Sequence, residues 1–358
     1  MKNLLRRTVL ATCGVVVCAG VLEALLLLVG FDRARPPEPF ERAFAGGRVD
    51  GYLFLERDAR ELWRTLPGAR VPWSGDGLDA HGFRGSVPAQ ARAPGIARLA
   101  VLGGSAAIGR GVGAEETFGR VASRELADHG VACEVVDAGV PNATLVQARA
   151  RWSASVRAWR PDVVLLAFSG FEEHAPALGP SDAELALAGP PSAPGPLGRI
   201  AHDSKLAGFV AWILPGAAAV SAENSAESAA DPAGDPNWPG ARRVPIESVR
   251  AELEEFARVV RADGAELVLV AVPARPPAAR AAPVLERYTK AAEAAATELA
   301  IERVDGRAVF AAAVAGGATY QDLFAGPTEP AQLGHARLGR AIAERLQERL
   351  ARSVKERR

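Results

Sequence analysis

The chain has 358 residues, 49% of them hydrophobic, which suits one large α/β domain with an anchor or two modest domains. Its 42 basic and 42 acidic residues leave a formal net charge of zero, which argues against nucleic acid and other polyanions as partners. The three cysteines include two in the apolar N-terminal stretch, so Cys133 has no evident disulfide partner.

The first predicted element is a membrane-spanning helix over residues 8–31. This apolar run is broken only by Glu23, and a helix of its length covers roughly 36 Å, enough to cross a bilayer. Basic residues precede it in segment 1–7, so the positive-inside rule places that segment in the cytoplasm and the rest of the chain outside. We expect a single-pass protein of a bacterial cell envelope. A cleaved signal peptide and lipidation at Cys13 or Cys18 are the alternatives.

Residues 32–95 form a lead-in segment without clear periodicity. From residue 96 to 352, short aliphatic runs alternate with longer amphipathic segments, which is typical of βαβ units. The predicted strands are residues 98–102, 133–138, 163–168, 266–272 and 301–305. The predicted helices are residues 116–129, 144–158, 246–262, 284–299 and 335–352.

These elements predict a doubly wound, flavodoxin-like sheet of five parallel strands. In such a sheet ligands bind at the carboxyl ends of the strands, so functional side chains are expected there. Residues 176–240, rich in Ala, Pro, Gly and Ser, are predicted to be a flexible insertion, and residues 353–358 a basic tail.

Ser105 lies in a glycine-rich turn after the first predicted strand, in the string Gly103-Gly104-Ser105-Ala106-Ala107-Ile108-Gly109. Such a turn can present a nucleophile. It can equally be an ordinary βα turn in which Ser105 caps the next helix, and a phosphate-binding turn is a weaker alternative.

The string Ala100-Val101-Leu102-Gly103-Gly104-Ser105, followed by Gly109, Gly111-Val112 and Glu116-Thr117-Phe118, resembles the first block of the SGNH/GDSL hydrolases. The resemblance implies that Ser105 is the nucleophile. The string Asp137-Ala138-Gly139-Val140-Pro141-Asn142 is similar to the second block, which implies that Gly139 gives a backbone N–H to the oxyanion hole. Shorter strings such as Gly82-Phe83-Arg84 and Arg243-Val244-Pro245 resemble a membrane-anchored branch of the family.

Two motifs depart from the family pattern. The family has Gly-x-Asn-Asp after the third strand, whereas this chain has Gly170-Phe171-Glu172-Glu173-His174. Glu172 therefore replaces the oxyanion asparagine, and its carboxylate cannot donate a hydrogen bond unless protonated. Near the C-terminus, the expected Asp-x-x-His aligns either from Asp322, which puts Ala325 in the histidine position, or from Gly334, which puts Glu329 there.

Neither register supplies the usual general base, which a serine nucleophile needs. His335, oriented by Asp322 or Glu329, is the first candidate substitute, and a surface role near a helix N-terminus is the alternative. His174, which follows the third strand, is the second. No cofactor is expected, and no histidine or cysteine pair has the spacing of metal ligands.

Three hypotheses follow for the function. The first is an extracytoplasmic serine esterase, acylhydrolase or acyltransferase that acts through acyl-Ser105 on ester or O-acetyl groups of an acylated glycan or lipid. The second is a catalytically degenerate SGNH-like domain, a pseudoenzyme, that binds a glycan or a protein partner at the envelope. The third is a membrane-tethered structural domain.

Overall fold

The computed structural model describes residues 14, 17–26, 28, 54–174, 181–188, 242–276, 282–326 and 328–356. The chain divides into two compact units, one of residues 1–35 and 191–229 and one of residues 36–190 and 230–358. In the first unit, residues 17–26 are helical, with the side chains of Val17, Val21 and Leu25 more than half exposed.

The predicted membrane span is only partly covered. Within the described residues, no helix has the length and hydropathy needed to cross a membrane. Residues 8–13, 15, 16, 27 and 29–31 of the predicted span lie outside the described residues, so the anchor stays a prediction.

The second unit contains a sheet of five parallel strands in the order β4-β3-β5-β6-β7. Its strands are β3 (Ala97–Gly103), β4 (Cys133–Asp137), β5 (Val163–Phe168), β6 (Glu266–Ala271) and β7 (Glu302–Asp305). The order confirms the predicted doubly wound sheet, because the chain runs outward from β3 to β4 and then returns to β5 on the other side. The carboxyl ends of β3 and β5 form the topological switch point.

Helices cover both faces of the sheet. They are α1 (Ser105–Ile108), α2 (Phe118–Asp128), α3 (Leu145–Ala154), α4 (Phe171–His174), α5 (Asp182–Ala188), α6 (Val249–Ala262), α7 (Ala282–Glu298), α8 (Gly306–Ala315), α9 (Tyr320–Leu323) and α10 (Gln332–Glu356). Short 3-10 turns occupy Ala114–Glu116, Val156–Trp159 and Ile246–Ser248.

The inner strands β3, β5 and β6 are mostly apolar because successive side chains enter two different cores. In β3, Ala100 and Leu102 join one core, with Trp152 and Phe256. Leu99 and Val101 join the other, on the face of α2 and α10. Burial on both faces replaces the alternating pattern of a half-exposed strand with a continuous apolar run.

The described part of the lead-in segment, residues 54–95, belongs to the second unit. It contains an antiparallel hairpin of β1 (Leu55–Asp58) and β2 (Leu62–Thr65), which the sequence analysis did not predict. Its Trp63 and Phe54 share a third apolar cluster with Ile108 at the end of α1 and with Val140 in the loop after β4. The lead-in therefore packs against the two loops that follow β3 and β4.

Candidate functional site

Ser105 is the first residue of α1, directly beyond the carboxyl end of β3. Gly103, at the end of the strand, has φ +128°, and a side chain there would overlap the Ala167 carbonyl of β5. Glycine is required because the backbones of β3 and β5 approach so closely. The turn thus places a serine at the switch point of the sheet.

The Ser105 hydroxyl does not cap α1, which corrects one sequence-based alternative. Gly104 is the N-cap residue and no side chain caps the helix. Instead, Ser105 Oγ accepts a hydrogen bond from the N–H of Asn142 at 3.3 Å. Ser105 itself is only 6% exposed.

Glu172 lies against Ser105. The Ser105 N–H donates to Glu172 Oε1 at 3.0 Å, and the Ser169 hydroxyl donates to Glu172 Oε2 at 3.0 Å. A Cβ atom at Gly104 would overlap Oε1 and would lie 2.9 Å from the Ala143 carbonyl oxygen. The Glu172 carboxyl group therefore occupies the Ser105 N–H, and its replacement of an oxyanion asparagine stays a prediction.

Three buried carboxyl groups make this edge of the sheet electrostatically unusual. Burial raises the pKa of Glu172, and the nearby Glu329 carboxylate adds to the rise, while the Ser105 N–H opposes it. Burial also raises the pKa of Glu173 to about 8, with Glu172 as the next cause. Glu173 Oε1 accepts from the Leu145 N–H at 2.9 Å, whereas Oε2 is buried without a partner. The raised pKa values of Glu172 and Glu173 favour the protonated forms of these two carboxyl groups.

Gly139 follows β4, as the second block requires. A side chain there would overlap the backbone N of Ile108, so the residue lies directly against α1. The backbone N–H that reaches Ser105 Oγ, however, belongs to Asn142, which the sequence analysis quoted within the block without assigning it a role. The oxyanion role of Gly139 stays a prediction.

His335, the first sequence-based candidate for the base, is bonded to the start of α2 in this structure, and its role as a base stays a prediction. Its imidazole is fully buried at the start of α10, where Nδ1 accepts from the N–H of Phe118 at 3.1 Å and Nε2 has no partner. Its ring stacks on the Phe118 ring with centroids 5.6 Å apart. Burial lowers the pKa of His335 to about 3. The residue caps the first turn of α2 and makes no hydrogen bond to Ser105.

The two carboxylates proposed to orient His335 have other partners. Asp322 is exposed and belongs to a capping box at α9, where Oδ2 accepts from the N–H of Thr319 at 2.8 Å. Glu329 is buried, and its Oε1 accepts from Arg110 Nη1 at 3.0 Å. Neither contacts the His335 imidazole, so the predicted relay is not formed.

His174, the second candidate base, ends α4 two residues beyond Glu172. Its side chain lies outside the described part of the structure, and so does His202. His81 stacks on Phe83 with centroids 5.8 Å apart and meets Trp159 edge-on at 4.6 Å, so it is part of the lead-in packing. In the described residues, no group of three or more His, Cys, Asp or Glu side chains is placed to hold a metal ion.

A buried arginine supports the loop that carries Asn142. Arg243 is 2% exposed and forms an ion pair with Asp182 at 2.8 Å. Its Nη1 donates to the Asn142 carbonyl oxygen at 2.7 Å, and its guanidinium lies 4.9 Å from the Trp63 ring centroid. The string Arg243-Val244-Pro245 was the sequence signal for this residue, but the string did not reveal the contact.

No protein-family model matches the sequence, and a search of curated proteins finds no match. Among solved structures, an acetylxylan esterase from Geobacillus stearothermophilus has a TM-score of 0.43 at 15% identity, over 69% of this chain and 93% of its own. A lipase/acylhydrolase from Enterococcus faecalis has a TM-score of 0.44 at 15% identity, over 71% and 97%. A protein of the lipolytic G-D-S-L family from Desulfitobacterium hafniense has 0.41 at 12%, over 69% and 98%.

These likenesses are of fold, and at such identities and TM-scores no activity follows from them.

Proposed function

We propose that the chain is an SGNH-type serine ester hydrolase or acyltransferase, working through an acyl-Ser105 intermediate at the cell envelope. The observation that carries the proposal is the position of Ser105. Its Oγ lies at the switch point of the sheet with a backbone N–H donor 3.3 Å away, and its own N–H is bonded to a side chain that can move rather than to the backbone. Ligands of doubly wound sheets bind at this point.

The proposed reaction requires a base and an oxyanion site. Ser105 Oγ attacks the ester carbonyl carbon while the base takes the hydroxyl proton, and the carbonyl oxygen becomes the oxyanion. The oxyanion collapses, the leaving alcohol takes the proton, and acyl-Ser105 remains until water or an acceptor hydroxyl displaces it. The N–H groups of Ser105 and Gly139 are the proposed oxyanion donors.

In the described arrangement the oxyanion site is closed, because the Ser105 N–H is bonded to Glu172. Glu172 must leave this N–H before an oxyanion can bind there. The imidazole base is His174 in this proposal, because His335 is committed to capping α2 and His174 follows the same strand as Glu172. Ester and O-acetyl groups of envelope glycans or lipids are the proposed substrates.

The proposed membrane attachment rests on the N-terminal helix. Apolar side chains at Val17, Val21, Leu25 and Leu28 are between 51% and 84% exposed, which is unusual for a folded protein in water and typical of a segment that contacts lipid. Flotation of the full chain with phospholipid vesicles tests the attachment. Substitution of Val21 and Leu25 by Asp should abolish flotation, and flotation that persists would contradict the anchor.

The second candidate is the catalytically degenerate SGNH-like domain that binds a glycan or protein. The placement of His335 favours it, since an imidazole fully buried against Phe118 cannot take a proton from Ser105. The two candidates differ in whether Ser105 can be acylated.

The deciding experiment is labelling of the full chain in detergent with a fluorophosphonate probe, with Ser105→Ala as the control. A label that is lost in Ser105→Ala and in His174→Ala establishes the hydrolase. No label in folded wild type, together with a label in a Glu172→Asn/Glu329→His double variant, would establish a degenerate site on a competent fold. If the label is lost in Ser105→Ala but not in His174→Ala, the result would support the acyl-Ser105 intermediate and would contradict His174 as the base.

A further inference from the structure

Arg243 has no assigned role in the proposed reaction, yet its guanidinium is two hydrogen bonds away from the Ser105 hydroxyl. Arg243 Nη1 donates to the carbonyl oxygen of Asn142 at 2.7 Å. The N–H of the same residue, Asn142, donates to Ser105 Oγ at 3.3 Å. One residue of backbone thus separates a buried cation from the proposed nucleophile.

The backbone of Asn142 has an uncommon conformation. Its φ is +57°, in the left-handed region that few residues other than glycine occupy. Such a conformation costs free energy and persists where surrounding contacts over-determine it. The contacts here are the Arg243 bond to its carbonyl and the Trp63 indole N–H, which donates to the preceding Pro141 carbonyl at 3.0 Å.

Arg243 is itself fixed from several directions. Its Nη2 donates to Asp182 Oδ2 at 2.8 Å and to Gln147 Oε1 at 2.6 Å, and Nε donates to Asp182 Oδ1 at 3.3 Å. Asp182 also accepts from the Thr144 hydroxyl at 2.8 Å. Because every nitrogen of the planar guanidinium is hydrogen-bonded, the Arg243 side chain is held in one orientation. A lysine ammonium could not make the same set of hydrogen bonds.

We propose that Arg243 is a positioning residue of the acyl-transfer site, which holds the Asn142 N–H on Ser105 Oγ through the Asn142 carbonyl. The inference rests on the proposed function for its catalytic meaning. An N–H that donates to Oγ restricts the hydroxyl rotamer, so that the serine lone pair available for attack keeps one direction. Without Arg243, the loop that carries Asn142 can move, and Ser105 Oγ is no longer held in one orientation.

Arg151 provides a matched control. It is as deeply buried as Arg243, it forms an ion pair with Glu61 at 2.9 Å, and its guanidinium lies 5.3 Å from the Phe83 ring centroid. Its Nη2 donates to Gly82 O and to Thr65 Oγ, and no hydrogen bond joins it to Asn142. Removal of either arginine breaks a buried ion pair, but of the two only Arg243 donates a hydrogen bond to Asn142.

The experiment compares full-length wild type, Arg243→Met, Arg243→Lys and Arg151→Met by the rate of fluorophosphonate labelling per folded molecule. Arg243→Met should label roughly 10- to 100-fold more slowly than wild type, and Arg243→Lys should fall between them. Arg151→Met should lose thermal stability yet label at the wild-type rate.

A second readout, hydrogen exchange of the Asn142 amide, separates failure of this inference from failure of the proposed function. The Asn142 amide should exchange faster in Arg243→Met than in wild type, and its exchange rate should be unchanged in Arg151→Met. Normal labelling in folded Arg243→Met, equal slowing in Arg151→Met, or unchanged Asn142 exchange in Arg243→Met would each overturn the positioning role. Absence of label in every protein, with the exchange difference present, would remove the acyl-transfer function and leave Arg243 only as the support of the Asn142 loop.

Discussion

The N–H of Ser105 donates a hydrogen bond to Glu172 Oε1 across 3.0 Å, and both residues are at least 94% buried. In acyl transfer by an SGNH-type site, this N–H would stabilise the oxyanion. An acidic side chain in that place competes with the developing negative charge, because a carboxylate repels it and even a neutral carboxyl group must first move away.

Replacement of Glu172 by Asn should therefore accelerate Ser105 chemistry. An amide can donate where a carboxylate cannot, and one oxyanion-hole donor changes rates by about 10²–10³-fold. We expect fluorophosphonate labelling at pH 8 to rise at least roughly 10-fold on the same principle. Glu254→Gln, an exposed change on α6, is the control for loss of charge. A folded Glu172→Asn protein that labels at the wild-type rate would contradict the competition.

Gly104→Ala should destabilise the protein through Glu172. The added methyl group would overlap Glu172 Oε1 and lie 2.9 Å from the Ala143 carbonyl oxygen, so we expect a loss of about 1–3 kcal/mol in the free energy of unfolding. When Glu172 is already replaced by Ser, Gly104→Ala should cost less unfolding free energy. The cost that remains is due to the contact with the Ala143 carbonyl oxygen. Urea denaturation of the four proteins measures the coupling. Additive effects would show that Glu172 does not fill this space.

His335→Ala should reduce stability and spare the chemistry. The substitution removes a buried ring stacked on Phe118 and the acceptor that caps α2, so we expect the free energy of unfolding to fall by about 2–4 kcal/mol. Labelling of Ser105 per folded molecule should not change. His129→Ala, at the exposed C-cap of α2, should have little effect on either. A specific loss of label in His335→Ala would restore this residue as the base.

Glu173 should make the protein less stable as the pH rises. Its carboxyl group has a pKa of about 8 in the folded state, raised mainly by burial, against a value near 4.5 when unfolded. Stability from this group is complete below pH 4.5 and is lost as the pH rises toward 8, because the unfolded chain releases the proton first. The Tm of wild type relative to Glu173→Gln should therefore fall by several degrees between pH 5 and 8.5. A constant difference would mean that Glu173 ionises normally in the folded protein.

Much of the fold could be predicted from local sequence. The five predicted strands match the five observed strands to within one or two residues. A strand that is buried on both faces needs apolar side chains on both, and the resulting aliphatic run can be seen in the sequence. The β1–β2 hairpin and helix α8 were not predicted. The Gly306–Ala315 segment is nearly uniformly apolar, so it has little amphipathic pattern, and the hairpin has no regular alternation.

The sequence by itself determined the doubly wound sheet, the position of Ser105 after the first strand, and the substitution of Glu172 for an asparagine, since each depends on residues close together in the chain. Tertiary structure alone decided what those residues contact. His335 is 217 residues from Phe118 and caps its helix, while Arg243 is 101 residues from Asn142 and supports its carbonyl. Such partners depend on how helices pack across the sheet, and local sequence periodicity carries no information about that packing.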